Sequence, residues 1–151
     1  MSRVSTYLNF DGQTEEAFEF YASVFRTQFE SPPIRYADVP SPTPLSDAES
    51  RGVLHVALPI LNGHVLMGTD LVASAGHHLR IGNNTTIVLE TDTREQADEF
   101  YGALCEGGSE KQDMADMFWG AYWGVCLDRF GVRWMISHTP EGAPPQGHRE
   151  G

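Results

Sequence analysis

The chain has 151 residues, 40% hydrophobic and 11% aromatic, which suits one globular domain with its own core and argues against overall disorder. A formal net charge of -11, from 10 Lys and Arg against 21 Asp and Glu, repels long polyanions and so excludes nucleic acid and anionic membrane surfaces as partners. No apolar run approaches the roughly 20 residues of a bilayer span and no basic-then-apolar leader opens the sequence, so a soluble, cytoplasmic protein is expected.

Val4 to Phe10 alternates as a strand should and ends at the turn signal Asp11-Gly12. A helix follows, with Thr14 as its N-cap, Glu15 and Glu16 at the favoured end of the helix dipole, and Ala17, Phe18, Tyr21, Val24 and Phe25 forming one apolar stripe. Gln28 to Val39 reads as a strand broken by Pro32-Pro33, and the Pro, Ser, Thr and acid-rich run Pro40 to Arg51 reads as an exposed, mobile loop. Val53 to Leu61 and His64 to Thr69, joined by Asn62-Gly63, form the clearest hairpin. Leu71 to Asn84 connects to a strand over Thr85 to Thr91. Next comes a helix over Arg94 to Cys105, capped by Asp92 or Thr93 and stopped at Gly107-Gly108. A short strand at Glu110 to Asp113 precedes an aromatic hairpin, with Trp119 to Leu127 leading in, Asp128 to Gly131 turning and Val132 to His138 leading out. Residues 140–151 read as a disordered tail.

The order strand, helix, three strands therefore occurs twice, and the residues repeat with it. Thr14-Glu15-Glu16-Ala17-Phe18-Glu19-Phe20-Tyr21 matches Arg94-Glu95-Gln96-Ala97-Asp98-Glu99-Phe100-Tyr101, and Gly63-His64-Val65-Leu66-Met67 matches Gly131-Val132-Arg133-Trp134-Met135. The expected fold class is α+β: two βαβββ units, residues 1–70 and 83–139, in a single domain over 1–139, each covering one sheet face with its helix and sharing a concave cleft on the other. Cys105 and Cys126 form no Cys-x-x-Cys pair and are too few for a disulfide scaffold. Lying in apolar segments, they read as buried thiols.

With Tyr7-Leu8-Asn9-Phe10-Asp11-Gly12, Glu16-Ala17-Phe18-Glu19-Phe20-Tyr21, Asp116-Met117-Phe118-Trp119-Gly120 and Phe130-Gly131-Val132-Arg133-Trp134-Met135-Ile136, the sequence resembles the PhnB-like branch of the vicinal oxygen chelate superfamily. That superfamily includes glyoxalase I, extradiol dioxygenases and bleomycin-binding proteins. The resemblance implies the paired-module glyoxalase-like fold, a homodimer and, in catalytic members, a divalent metal held by His, Glu or Gln from four strands. Some PhnB-like proteins carry a demethylubiquinone methyltransferase label, yet this sequence has no Gly-rich strand-to-helix turn for a methyl-donor nucleotide.

Strand parity locates the equivalent positions, because alternate residues face opposite sides of a sheet. Thr6, Leu8 and Phe10, with Val4, should meet the first helix, leaving Tyr7 and Asn9 for the cleft. Ile87 and Leu89 should meet the second, leaving Thr86 and Val88. The quartet becomes Tyr7, Met67, Thr86 and Met135, and thioethers are too soft and uncharged to hold zinc, iron or manganese. His55, with Val53 and Ala57 on its face, reads as a half-buried histidine, His64 as a solvated turn residue and His77-His78 as polar loop residues.

The leading expectation is a metal-free cleft, without a cofactor, that binds a small, partly apolar molecule through Tyr7, Asn9, His55, Met67, Trp119, Tyr122, Trp123 and Met135. Trp134, in phase with Val132 and Ile136, is expected beneath a helix. The alternatives are a metal-dependent glyoxalase- or dioxygenase-type enzyme whose metal is recruited by His55 or by His77-His78, and an assembly role with no ligand.

Overall fold

The computed structural model describes residues 1–142, so the rest of the expected tail lies outside the described residues. The chain divides into two compact units, Met1–Arg80 and the part from Ile81 onward. Each holds a four-stranded mixed sheet of the same topology, β1-β4-β3-β2 in the first and β5-β8-β7-β6 in the second. This is the α+β arrangement of two βαβββ modules that the repeat implied.

In the first unit β1 is Thr6–Phe10, α1 Thr14–Phe25, β2 Ile34–Arg35, α2 Asp47–Arg51, β3 Val53–Pro59 and β4 Val65–Asp70. β1 runs parallel to β4 in the middle, with Tyr7 opposite Met67, and β3 pairs antiparallel to β4, with Ala57 opposite Met67. The apolar stripe of α1 lies on this sheet: Ala17, Phe18 and Tyr21 are fully buried with Leu58 and Leu66. Gly68 is what lets α1 come so close, since a Cβ there would sit 2.5 Å from the Phe18 ring.

Four local expectations need correction. Val4 lies before β1 and is 83% exposed. Thr14 is not the N-cap of α1. Gln13 holds that position without a side-chain bond, and the missing acceptor comes from across the fold, where Asp70 Oδ1 accepts the Thr14 amide at 3.1 Å and its hydroxyl at 2.6 Å. The broken strand shrinks to two residues followed by a 3-10 turn, Tyr36–Asp38, because Pro32-Pro33 removes ladder donors. Finally, the presumed loop contains α2, whose start is a capping box: Ser46 Oγ accepts the Glu49 amide at 3.1 Å while Glu49 accepts the Ser46 amide at 2.9 Å.

The hairpin turn is as expected, with Asn62 at φ 51° and Gly63 at φ 77°, the left-handed pair that a two-residue turn favours.

In the second unit β5 is Ile87–Glu90, α3 Arg94–Cys105, β6 Ser109–Asp116, β7 Tyr122–Leu127 and β8 Arg133–His138. α3 starts as its sequence says, with Thr93 Oγ1 accepting the Gln96 amide at 3.1 Å. β6 is twice the expected length and breaks register with β7 twice. Trp119 lies outside β7, in the tight turn that Gly120 closes by donating to the Met117 carbonyl at 3.0 Å. Trp134 and Ile136 are fully buried on the α3 side with Leu104, as their phase required.

The cysteine reading is also overturned. Cys105, at the end of α3, and Cys126, in β7, form a disulfide and not two thiols. Both are buried, so the crosslink pins the helix to its sheet from inside the core.

Candidate functional site

Both sheets have one face packed under a helix and one free of it, and the predicted site residues can be placed on these faces unit by unit.

On the first sheet Gly68, Leu66, Val56 and Leu58 point toward α1, so Met67, Ala57, Tyr7 and Asn9 take the opposite face. Tyr7 is 48% exposed and Asn9 is exposed beside it. His55 joins them, its ring 6.1 Å from that of Tyr7 and tilted by 30°. Val53 does not share this face. Ile34 pairs with His55 while the next residue, Arg35, pairs with Val53, so β3 carries an extra residue at Leu54. Such a bulge reverses parity. It turns Val53 inward, where it is buried with Val56 against Phe18. His64 is not free in its turn, because its Nε2 lies 2.9 Å from Thr6 Oγ1. His77 and His78 are exposed in the segment after β4.

On the second sheet Met135 lies between its strand neighbours Val88 and Val125 on the helix-free side. Trp123 belongs to the same face by parity and meets Trp119 with centroids 6.1 Å apart at 76°. Phe118 stacks edge-on against Trp119 in turn and is itself 97% exposed. Thr86 precedes β5, so Val88 and not Thr86 pairs with Met135.

Tyr122 stands apart. One residue from Trp123, it faces α3, where its hydroxyl donates to Asp98 and the Arg94 guanidinium lies 3.8 Å from its ring centre. The bond to Asp98 and then burial push the Tyr122 phenol up. Arg94 also grips Asp116 with two bonds of 2.6 and 3.1 Å, which holds that carboxyl below the usual range. Asp113 accepts the Tyr101 hydroxyl at 2.8 Å, so Asp113 and Asp116 each serve α3 separately.

The metal that the superfamily implies does not fit these positions. Tyr7, Met67, Val88 and Met135 offer a phenol, two thioethers and an alkyl group, none of them a usual ligand of zinc, iron or manganese. Among the described residues no three His, Cys, Asp or Glu side chains group as metal ligands would.

Two four-stranded sheets of βαβββ order, each with its parallel pair at one edge and its hairpin in the middle, make the glyoxalase-like fold. A glyoxalase/bleomycin resistance/dioxygenase family enzyme from Burkholderia phytofirmans has the same fold, at TM-score 0.59 with 18% identity over 89% of this chain and 98% of its own. The family model described as 3-demethylubiquinone-9 3-methyltransferase matches residues 2–137, and the chain belongs to that family, within the PhnB-like branch. Among solved structures it is similar to protein PA1353 from Pseudomonas aeruginosa, at TM-score 0.79 and 28% identity, covering 92% of this chain and 98% of that one. It is also similar to a PhnB protein from Bacillus cereus, at TM-score 0.73 and 24% identity, covering 91% of this chain and all of that one.

Proposed function

We propose that this protein binds a small, partly apolar molecule without a metal, on the helix-free faces of its sheets. The candidate contacts are Tyr7, Asn9, His55 and Met67 on the first sheet and, on the second unit taken by itself, Trp119, Trp123 and Met135. The observation that carries the reading is the amount of apolar and aromatic surface left open on those faces: Tyr7 is 48%, Val88 50% and Trp119 38% exposed. Exposed aromatic groups beside a few polar ones are what ligand surfaces offer, and flexible thioethers adapt to irregular guests. Tyr122 is left out of this proposal, since its hydroxyl and ring are both engaged by α3.

The methyl transfer in the family's description would require a methyl-donor site. The turn from β1 into α1, Asp11-Gly12-Gln13, has one glycine and not the Gly-rich pattern that cradles a nucleotide. A homodimer and a cytoplasmic location complete the proposal, with neither nucleic acid nor membrane as partner. The net charge of -11 supports the last point, and no described helix is long and apolar enough to cross a membrane. Alkylation of rapidly quenched cell extracts checks the compartment: a fully oxidised Cys105–Cys126 pair argues for an oxidising one.

Tryptophan fluorescence against a panel of small aromatic and aliphatic compounds tests the binding reading. The expected result is saturable quenching that is lost in Trp119→Ala while the circular dichroism stays intact. Stoichiometric zinc, iron or manganese in the purified protein, or quenching unaffected by Trp119→Ala, sinks it.

A further inference from the structure

A cavity lies on the α1 side of the first sheet, away from the proposed ligand face. It has a volume of about 170 Å³ and is lined by Phe18, Phe29, Pro33, Val53 and Val56, with Glu15 and Glu19 at its rim. Its origin is legible in the chain. Pro32-Pro33 cut β2 to two residues, and Phe29 and Pro33 from the segment before it line the cavity beside β3.

Glu15 and Glu19 are four residues apart and share one face of α1, and both line the cavity together with Phe18. The chain already places one cation on this rim. Arg35 pairs with Glu15 and is tethered through a second bond, 2.9 Å long, to the Arg51 carbonyl. Glu19 has neither an ion pair nor a hydrogen bond among the described residues. The cavity thus combines aromatic and branched walls with one engaged and one open carboxylate, inside a strongly anionic protein.

We propose that this cavity is a second binding site, for a small organic ammonium compound: one ring or a short branched chain in the cavity, and the ammonium at Glu19. The size agrees, since a dry apolar cavity of about 150 Å³ accepts a single benzene ring. The charge agrees too. A carboxylate at the rim attracts a cation and repels an anion of the same shape.

Phenethylamine, phenylpropionate and 2-phenylethanol are matched probes of cationic, anionic and neutral character, to be titrated into the full chain and followed by amide and methyl NMR. Phenethylamine is expected to bind saturably and to shift resonances of Val56, Val53 and Phe29, with the neutral probe weaker and the anion weaker still. Glu19→Gln, an exposed change that leaves the fold intact, is expected to weaken phenethylamine about three- to fivefold. Equal binding of all three probes, no binding at all, or indifference to Glu19→Gln overturns the proposal. Shifts confined to Tyr7, His55 and Met67 overturn it as well while leaving the sheet-face reading standing, so the two proposals fail separately.

Discussion

The two βαβββ units share one topology, yet they fasten helix to sheet by different means. In the second unit the helix start is finished locally, by Thr93 on the Gln96 amide. Its helix end is then bolted down by the Cys105–Cys126 disulfide. The first unit's long helix, α1, has neither device. The start of α1 is satisfied by Asp70, the last residue of β4, whose other oxygen takes the Val53 amide at 2.9 Å. The second unit has its own buried aspartate, but Asp128 works within its hairpin, accepting Phe130 and Val132 amides at 2.8 and 3.0 Å and the Trp134 indole at 2.8 Å. The same side-chain chemistry thus closes a long-range joint in one copy and a tight turn in the other. Repetition conserves the arrangement of strands, not the bonds that secure them.

The largest test of this contrast is Asp70→Ala. It leaves two amides and a hydroxyl without partners in a buried place, which costs about 3–9 kcal/mol at roughly 1–3 kcal/mol for each stranded group. Urea unfolding followed by circular dichroism measures it, and a loss below about 1 kcal/mol means the joint is not tied as described. Next comes the disulfide. Cys105→Ser with Cys126→Ser opens a loop with a sequence separation of 21, worth about 3 kcal/mol on the chain-entropy account. Amide exchange should show the loss in α3 and β7 and spare the first unit. Equal loss of protection in both units breaks the contrast.

The smallest effects appear as opposite pH sensitivities. Glu49, held by the Ser74 hydroxyl and then by the Ser46 and Ser74 amides, is lowered from 4.5 to about 2. A depressed carboxyl contributes stability that is present above its unfolded value, so α2 should loosen as pH falls from 4.5 through about 2. Tyr101, raised from 10.0 to about 12 by burial and by its bond to Asp113, behaves the other way. Its contribution is full below pH 10 and is lost as pH rises through about 12. NMR titration of Glu49 and ultraviolet titration of Tyr101 check both, and ordinary midpoints for the two groups would remove the asymmetry.

How much of this was legible in the chain follows from the range of the interactions. Periodicity gave the two modules, α3 with a cap at Asp92 or Thr93, the Asn62-Gly63 turn, and the burial of Trp134, because each is set by residues within one turn or one strand. The helix α2 was legible as well, in Ser46 followed three residues later by Glu49, but the surrounding Pro and Ser masked it. The Asp70 joint spans 56 positions, and no local signal at Thr14 distinguishes an N-cap from a residue waiting for a distant one. The bulge at Leu54 was equally silent, so His55 was assigned the right face beside the wrong neighbour. Tyr122 could have been separated from Trp123 by alternation alone, since adjacent strand residues cannot line the same face.

The Asp70 joint also sets an order of events. During synthesis α1 emerges with an unsatisfied start and stays so until β4, 56 residues later, has left the ribosome and found its place beside β1. Any fragment that ends before residue 70 therefore carries a helix whose first turn is open to water. The first module becomes a finished body only when its last strand residue arrives, whereas Thr93 lets α3 begin as soon as Gln96 follows it.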